Sequence, residues 1–587
     1  MLPVQAEAFQ VIAPHTGSVT LELPTGSGKT AIGVTFLRAL EQQGAGPLFY
    51  ITTTKALVEQ VQRLHPEVRV AYGRGEFPCL YYPDEQLLAD EIPCSLLRDC
   101  GHRVSQATGQ PALAGAPPCP YLHQKYMAKQ GGIIVCTMAF YLFTQLFSKE
   151  WGKPAGLVID EAHKLPEVVR NCLSYEITDL HLRRSIELLK RIAAPDVVHV
   201  ERFLAVLMHI IKRKPSARAT LLEAHEVREL LDVLTAIDSE VLRQDIASAM
   251  QRGVIDPVAD RTVLKRLETF ALDLHRYVRS FEYSLATDKR HPLNYTFGFY
   301  MPEQQSGSQA SVRLFIKAYY VAPLIKRLLA PRTLAYSATI GDAEVFRFES
   351  GVDAPFYTFG SSFPAANTRV FMPVDTPNLA MKERSRQEPA RVLRKIARAC
   401  AQFNHAGYRS LVIVISEKER EKFLQLCEEE GVAPMSYGNG VSAKAAAQAF
   451  ISGVGHVLVG TAAQYGHGLD LPRQIAPVTF VLRPGYPNPH DPRTLFEERR
   501  FGSRRWAIWN WRVMLDALQA RGRNIRSEYD VGVTFFISQQ FRRVVHPILP
   551  GWLKPAYVGT KTFDACVAET LQLLQRSSPQ RVDVPVQ

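Results

Sequence analysis

The sequence predicts an α/β protein with two parallel-sheet units, each flanked by helices. Short apolar runs such as Leu48–Ile51, Ile133–Cys136, Leu334–Tyr336 and Ser410–Ile415 read as strands buried on both faces. Several of them end in polar or glycine-bearing turns that lead into helix-like stretches, the strand–loop–helix alternation of parallel sheets. The runs form two groups, separated from about residue 166 to 325 by a long stretch of helical periodicity.

At 587 residues the chain is long enough for three or four compact domains, and 46% apolar residues suit ordinary globular ones. The formal charge of +12 favours a polyanionic partner such as DNA or RNA, although a merely basic protein would show the same balance. The N-terminal MLPVQAEAFQ has no basic segment followed by an apolar one, and no apolar run approaches the ~18 residues of a membrane span. A cytoplasmic protein of the bacterial cytoplasm or nucleoid is therefore expected, with no membrane partner. In that compartment nine cysteines do not suggest a disulfide framework. From Ser577 the composition reads as a loose tail.

The first chemical anchor is LELPTGSGKT, Leu21–Thr30. An apolar strand enters a loop of Thr25, Gly26, Ser27 and Gly28, and Lys29-Thr30 opens the helix-like AIGVTFLRAL. Glycines at Gly26 and Gly28 let backbone N–H groups approach a phosphate closely. Lys29 would reach the β- and γ-phosphates of ATP, and the Thr30 hydroxyl would bind Mg²⁺. The strict phosphate-loop pattern has Gly where this chain has Leu23. A second anchor, LVIDEAH at Leu157–His163, ends a buried strand on two acids. Asp160 would hold Mg²⁺, Glu161 would orient and deprotonate the attacking water, and His163 would couple them to a nucleic-acid side. Taken singly, DEAH is open to reading as an acidic helix cap; with the phosphate loop it points to nucleotide hydrolysis.

Other pieces follow in order. ITTTKALVEQ, Ile51–Gln60, offers hydroxyls and Lys55 at a helix N-terminus, suited to phosphate contacts. Ser337-Ala338-Thr339 follows another apolar strand. A second unit begins near residue 366 and contains GTAAQYGHGLD and QARGRNIRSEYDVG. In the latter, Arg523 and Arg526 share one face if helical and would reach a γ-phosphate bound by the first unit. A solvated basic helix is the alternative, against which Gly522 inside the run and Asp530-Val531-Gly532 after it speak.

Cys79, Cys94, Cys100 and Cys119 fall within 41 residues. Four thiolates ligate a 4Fe–4S cluster or a tetrahedral zinc ion, and an empty site is a third option. Gaps of 15, 6 and 19 lack the two tight pairs usual for zinc. Between residues 166 and 325, Leu264, Leu267, Ala271, Leu274 and Val278 mark one long amphipathic helix, and Leu230, Leu234, Ile237 and Val241 recur at helix spacing. YTFGFYM and SVRLFIKAYY read as a hairpin. The run Lys212-Arg213-Lys214 reads as a solvated helix end, or as a wall of a strand channel.

Together, ELPTGSGKT, TTTKALVEQ, VIDEAH, SAT, GTAAQYGHGLD and QARGRNIRSEYDVG resemble, in order, the motifs of the XPD/DinG superfamily 2 helicases, with the DinG branch favoured. The resemblance runs from about residue 5 to about 540. It implies two RecA-like motor domains, with first-domain segments at 1–75, 121–165 and 326–365 and the second domain at 366–587. It further implies an iron–sulfur insert at 76–120, held by Cys79, Cys94, Cys100 and Cys119, and a mostly helical arch at 166–325. It assigns Gln519, Gly522, Arg523 and Arg526 to the ATP-facing set, matches Gly468 and Asp470 to the family's G-x-D, and matches Gln5 to its adenine-reading glutamine. Gly466-His467 stands where the family often has Trp-Glu, and Thr137-Met138 where it often has Asn-His. The implied activity is a monomeric ATP- and Mg²⁺-dependent DNA helicase moving 5′→3′ on single-stranded or forked DNA, with R-loops and RNA–DNA hybrids as further substrates. The implied setting is DNA repair or a CRISPR complex. A translocase that strips proteins from DNA without unwinding, and a scaffold with a decayed motor, are the alternatives.

Overall fold

The computed structural model describes residues 2–92, 100–148, 150–214, 219–256, 258–287, 295–300, 311–361, 365–380, 385, 387–465, 471, 475–521 and 530–576. The first domain opens with α1 (Pro3–Ile12), β1 (Val19–Glu22), α2 (Lys29–Gln42), β2 (Leu48–Thr52), α3 (Lys55–Leu64) and β3 (Arg69–Ala71). After the cysteine-bearing insert come α4 (Pro120–Lys129), β4 (Ile133–Thr137), α5 (Met138–Phe143) and β5 (Gly156–Asp160). Helix α6 (Leu165–Cys172) leads to β6 (Tyr175–Thr178), α7 (Asp179–Arg191), α8 (Val197–Lys212), β7 (Ala219–Leu221) and α9 (Ala224–Leu234). The excursion continues with α10 (Ser239–Gln251), α11 (Arg261–Thr287), β8 (Tyr295–Tyr300) and β9 (Arg313–Ala318). The chain returns through α12 (Ala322–Leu328), β10 (Arg332–Ser337), α13 (Ala343–Ser350) and β11 (Phe356–Thr358).

The second domain runs β12 (Thr368–Phe371), α14 (Glu388–His405), β13 (Ser410–Val414), α15 (Glu417–Glu429), β14 (Pro434–Met435), α16 (Ala443–Ile451) and β15 (Val457–Thr461). It ends with α17 (Ala462–Tyr465), β16 (Val478–Val481), α18 (Pro492–Phe501), α19 (Arg505–Arg521), β17 (Gly532–Phe536), α20 (Gln540–Val544), β18 (Tyr557–Val558) and α21 (Phe563–Arg576).

Both expected parallel sheets are present. The first has strand order β11-β1-β10-β5-β2-β4-β3 and the second β14-β15-β13-β16-β17-β12-β18, every pairing parallel. Strands β1, β2, β5, β13, β15 and β17 are buried along their whole length, which is why they read as unbroken apolar runs rather than alternating ones. Register brings Glu22 beside Ser337 and Tyr336 beside Asp160. The carboxyl ends of β1, β10 and β5 therefore meet at one point of the sheet, where parallel α/β folds place their sites.

The excursion between α6 and β10 is helical, with an antiparallel sheet β6-β9-β8-β7 at its base. The hairpin is there as β8–β9, joined in register from Tyr295 opposite Ala318 to Tyr300 opposite Arg313. Leu264, Leu267, Ala271 and Leu274 on α11 are buried, as the stripe predicts. The other stripe is not one helix. Leu230 and Leu234 close α9, Asp238 caps α10 by accepting from Glu240 N and Val241 N, and Val241 is exposed. An aspartate cap offers the backbone a better ending than continuation, and overrides the apolar period. Of the basic run, Arg213 pairs with Glu229 and Lys214 with Glu226 across to α9, so it is a helix end tied to its neighbour rather than a channel wall. Among the described residues no helix is long and apolar enough to cross a membrane.

Candidate nucleotide site between the two domains

The phosphate loop joins β1 to α2. Gly26 and Gly28 have φ of 84° and 71°, a left-handed backbone that side-chain-bearing residues avoid. Ser27 is buried and donates its hydroxyl to Pro24 O at 2.8 Å, while Lys29 Nζ lies 3.4 Å from Leu23 O and 3.5 Å from Pro24 O. Thr25 is half-buried and Gly26 exposed at the crest. Gln5 on α1 sits against this loop, its Nε2 donating to Gly28 O at 3.5 Å and its Oε1 accepting from Leu2 N at 2.9 Å.

Asp160 and Glu161 stand opposite the loop. Glu161 adopts φ 52°, a strained turn that swings its carboxylate off the strand. Thr52 donates to Asp160 Oδ2 at 3.4 Å, so this hydroxyl of ITTTKALVEQ faces the acid rather than a nucleic acid. Thr54 caps α3, and Lys55 pairs with Glu76. Behind them Tyr336 donates to Tyr50 at 2.9 Å, and Tyr50 is hydrogen-bonded to Asp160 and to Thr30. Thr30 and Asp160, the two expected Mg²⁺ ligands, thus share one buried tyrosine. Burial and the adjacent Glu161 push Asp160 up to about 7 against the pull of Lys29. Burial also raises Glu161, but Lys29, with a bond from Ser337, outweighs it and holds that carboxyl low.

Protons and a cation compete for Asp160, because only the ionised carboxylate ligates a metal. With its acidity set near 7, the apparent Mg²⁺ affinity should be full at about pH 8 and fall about tenfold by about pH 6. Mg²⁺ titration of ATP turnover, corrected for protonation of ATP itself, reads this. A profile no steeper than that of Asp160→Asn would reject the assignment.

A polar relay crosses from this site into the second domain. Lys164 Nζ donates to Gln519 Oε1 at 2.6 Å, and lysine can only donate, so the Gln519 amide orientation is fixed. Gln519 Nε2 then donates to His163 Nε2 at 2.7 Å, which leaves the imidazole proton on Nδ1. That nitrogen donates to Ser337 Oγ at 2.7 Å, and Ser337 donates to Glu161 Oε2 at 3.1 Å. Gln519 and Ser337, read from separate motifs, meet at one imidazole. Sequence reasoning missed Lys164, Tyr50, Tyr336 and Glu22. Glu22 accepts Ile340 N at 2.8 Å and Gly341 N at 2.7 Å, pinning the loop after Ser337. Its position two residues before Pro24, ending a buried strand, was the available signal. Gly468, Asp470, Gly522, Arg523 and Arg526 lie outside the described residues.

Cys79, Cys100 and Cys119 line one cavity of about 380 Å³; Cys94 lies outside the described residues. Backbone bonds from Cys79 N to Leu87 O (2.7 Å) and from Cys119 N to His102 O (2.8 Å) fix two of them. Arg74 braces the insert by donating to Ala89 O and Ile92 O, each at 2.6 Å. Among the described residues no three His, Cys, Asp or Glu stand close enough to grip a single ion. Arg74, Arg103 and Lys125 also line the cavity.

Two parallel-sheet domains meeting around a phosphate loop, with a glutamine of one wired to the acids of the other, define a RecA-like nucleotide-driven motor. Three family profiles match in order: a DEAD/DEAH box helicase domain at residues 2–68, DEAD_2 at 113–182 and a helicase C-terminal domain at 396–556. The chain belongs to the XPD/DinG-like superfamily 2 helicases, ATP-dependent nucleic-acid enzymes that use Mg²⁺. Solved structures with this fold include an XPD helicase (TM-score 0.60, 16% identity, covering 95% of this chain and 99% of that one). An apo XPD gives TM-score 0.56 at 15% identity, covering 95% and 100%. Xpd4 of S. tokodaii gives 0.54 at 14%, covering 92% and 96%. No curated protein sequence matches significantly.

Proposed function

We propose that this chain is a DNA helicase that moves 5′→3′ on single-stranded DNA and unwinds duplex, or RNA–DNA hybrid, at the cost of ATP. The relay from Gln519 through His163 and Ser337 to Glu161 supports this best, because it makes the fit of the two domains depend on what occupies the nucleotide cleft. Lys29 holds the β- and γ-phosphates, Thr30 and Asp160 hold Mg²⁺, and Glu161 takes a proton from the attacking water. Arg523 and Arg526 meet the γ-phosphate from the second domain, an arrangement worth about 10³–10⁵ in rate elsewhere. Bound Mg²⁺ supplies charge neutralisation at the transferred phosphoryl group.

With Cys94 as the fourth ligand, the cavity of Cys79, Cys100 and Cys119 would hold a 4Fe–4S cluster. Its thiolate donor set suits iron–sulfur ligation, and the lining cations offset the charge of four thiolates. Insert and arch abut through Arg261, which donates to both oxygens of Glu91 at 2.7 and 2.6 Å, and so frame one gate beside the motor.

Strand displacement tests the reading. Duplexes with a 5′ single-stranded tail should be unwound with ATP, and those with a 3′ tail should be inert. Removal of streptavidin from tailed DNA without unwinding would leave a translocase. Absence of DNA-stimulated phosphate release would leave a scaffold.

A further inference from the structure

Helix α19 carries Gln519 to the nucleotide site, and a partly buried ring of six charges grips the same helix two turns earlier. Glu167 Oε2 accepts from Arg170 Nε and from Arg493 Nη1, both at 3.2 Å. Arg493 Nε donates to Glu497 Oε1 at 3.0 Å, and Arg512 Nη1 donates to the same oxygen at 2.6 Å. Arg512 Nη2 donates to Glu349 Oε2 at 2.8 Å, and Arg170 Nη2 closes the ring on that oxygen at 3.0 Å. Acid and base alternate all the way round, and the charges cancel.

The ring is buried on one side and open at Glu167, whose side chain is 47% exposed. The side chains of Glu349 and Glu497 are 1% exposed, and that of Arg170 is 6% exposed. Trp509 Nε1 donates to the second oxygen of Glu497 at 2.6 Å, whereas the second oxygen of Glu349 is buried without a hydrogen-bond partner. Burial pushes Glu349 up, but Arg512 and Arg170 outweigh it and hold that carboxyl at about 2, so the ring stays ionised at any working pH. Such an assembly is a poor way to gain stability, since well-packed apolar side chains do as well or better. What it supplies is register. A one-turn slip of α19 would carry Arg512 about 5.4 Å and break both of its bonds, to Glu497 and Glu349, whereas an apolar contact would tolerate the slide.

Its members are rooted at the site. Glu167 and Arg170 lie on α6, which begins directly after His163-Lys164. Glu349 lies on α13, which begins directly after the Ser337–Gly341 loop. The adjacent Trp511 donates to Ile340 O at 2.7 Å, and Met514 packs on Gly341, where a Cβ would collide with it. We propose that the closed ring of Glu167, Arg170, Glu349, Arg512, Glu497 and Arg493 is a positioning device. It registers α19 against the two helices that issue from the DEAH and SAT motifs, and so sets the reach of Gln519 to His163. The ring residues touch no nucleotide and act through Gln519. The inference rests on the motor reading above.

The test is a double-mutant cycle on the full chain. Gln519→Ala and Arg512→Met should each lower the kcat of DNA-stimulated ATP hydrolysis about tenfold, with KM for ATP within about twofold. The double variant should be no slower than the slower single one. A double that falls by the product of the two effects, or an Arg512→Met that melts earlier but turns over normally, overturns the proposal. Arg512→Lys, which keeps the charge and loses the fork, should fold and give an intermediate kcat. Hydrogen exchange reads the register without turnover: Arg512→Met should raise exchange at least about tenfold in peptides spanning 513–521 and 161–165. Unchanged exchange there overturns the ring's role, even if the wild type proves to have no ATPase; a wild type without ATPase whose exchange responds overturns only the motor reading.

Discussion

Replacing Lys29 with alanine should lower ATP turnover by at least about a thousandfold while the protein stays folded. The ammonium does three things at once. It lies 3.4–3.5 Å from Leu23 O and Pro24 O, drawing the phosphate loop around itself. It is the cation that restrains Asp160 against burial. It is also the largest influence opposing burial at Glu161. Without it both carboxyls rise, so Asp160 binds Mg²⁺ less well and Glu161 spends more of its time protonated, when it can accept nothing from water. These losses add to the missing contact with the transferred phosphate. None of them touches the core, because the packing of α2 rests on Ile32, Val34, Phe36, Leu37 and Leu40, all buried. The melting temperature should therefore shift by no more than a few degrees, about 1 kcal/mol or less. Turnover above about a tenth of wild type, in a variant with an unchanged melt, would mean that the loop binds something other than a triphosphate.

The contrast between Lys29 and the charge ring shows what the sequence exposes. Motifs such as PTGSGKT and VIDEAH are legible because the chemistry needs several residue types within one turn, directly after a strand that must be apolar. Strand order was not legible from these motifs; it is the fold that sets β10 between β1 and β5 and so gathers the three motif-bearing strand ends. The arch hairpin and the long helix α11 were legible by period. The break at Asp238 was not, because the apolar spacing runs straight through it.

Contacts made across domains left no local trace. His163 meets Gln519 across 356 positions. Arg512 meets Glu349 across 163 positions, and each ring residue looks in sequence like an ordinary surface charge. Only Glu22 was within reach, as an acid ending a buried strand, since a carboxylate there must find donors or lose its charge. It finds two backbone N–H groups, Ile340 and Gly341, and burial still raises it above the ordinary range.

Exchange of Cys119 for serine should strip the iron from the protein and unfold the insert while sparing ATP binding. Among the described residues of the 76–120 segment only Leu87, Ala89, Ile92 and Val104 are buried apolar side chains. At roughly 1.5–3 kcal/mol for each of the larger ones, they fall far short of the about 1–2 kcal/mol that ordering each residue of so long a segment costs. Arg74 and the short backbone bonds add specificity, not enough cohesion. The proposed four-thiolate centre would supply the difference, and folding and metal binding would then be one event. Wild-type protein should carry about four irons per chain and absorb broadly near about 400 nm. Cys119→Ser should lose both, and limited proteolysis should cut within 76–120. The damage then spreads along a defined route. Glu91, no longer held, releases Arg261 and Lys265 at the start of α11, so the arch loses its abutment. Strand separation should collapse, but DNA-stimulated ATP turnover should survive within a few-fold, since the relay from Glu161 to Gln519 lies entirely outside the insert. One zinc per chain in the wild type, with no visible absorbance, would overturn the cluster assignment. An equal loss of ATPase and unwinding would show that the insert holds the motor itself together and not only its gate.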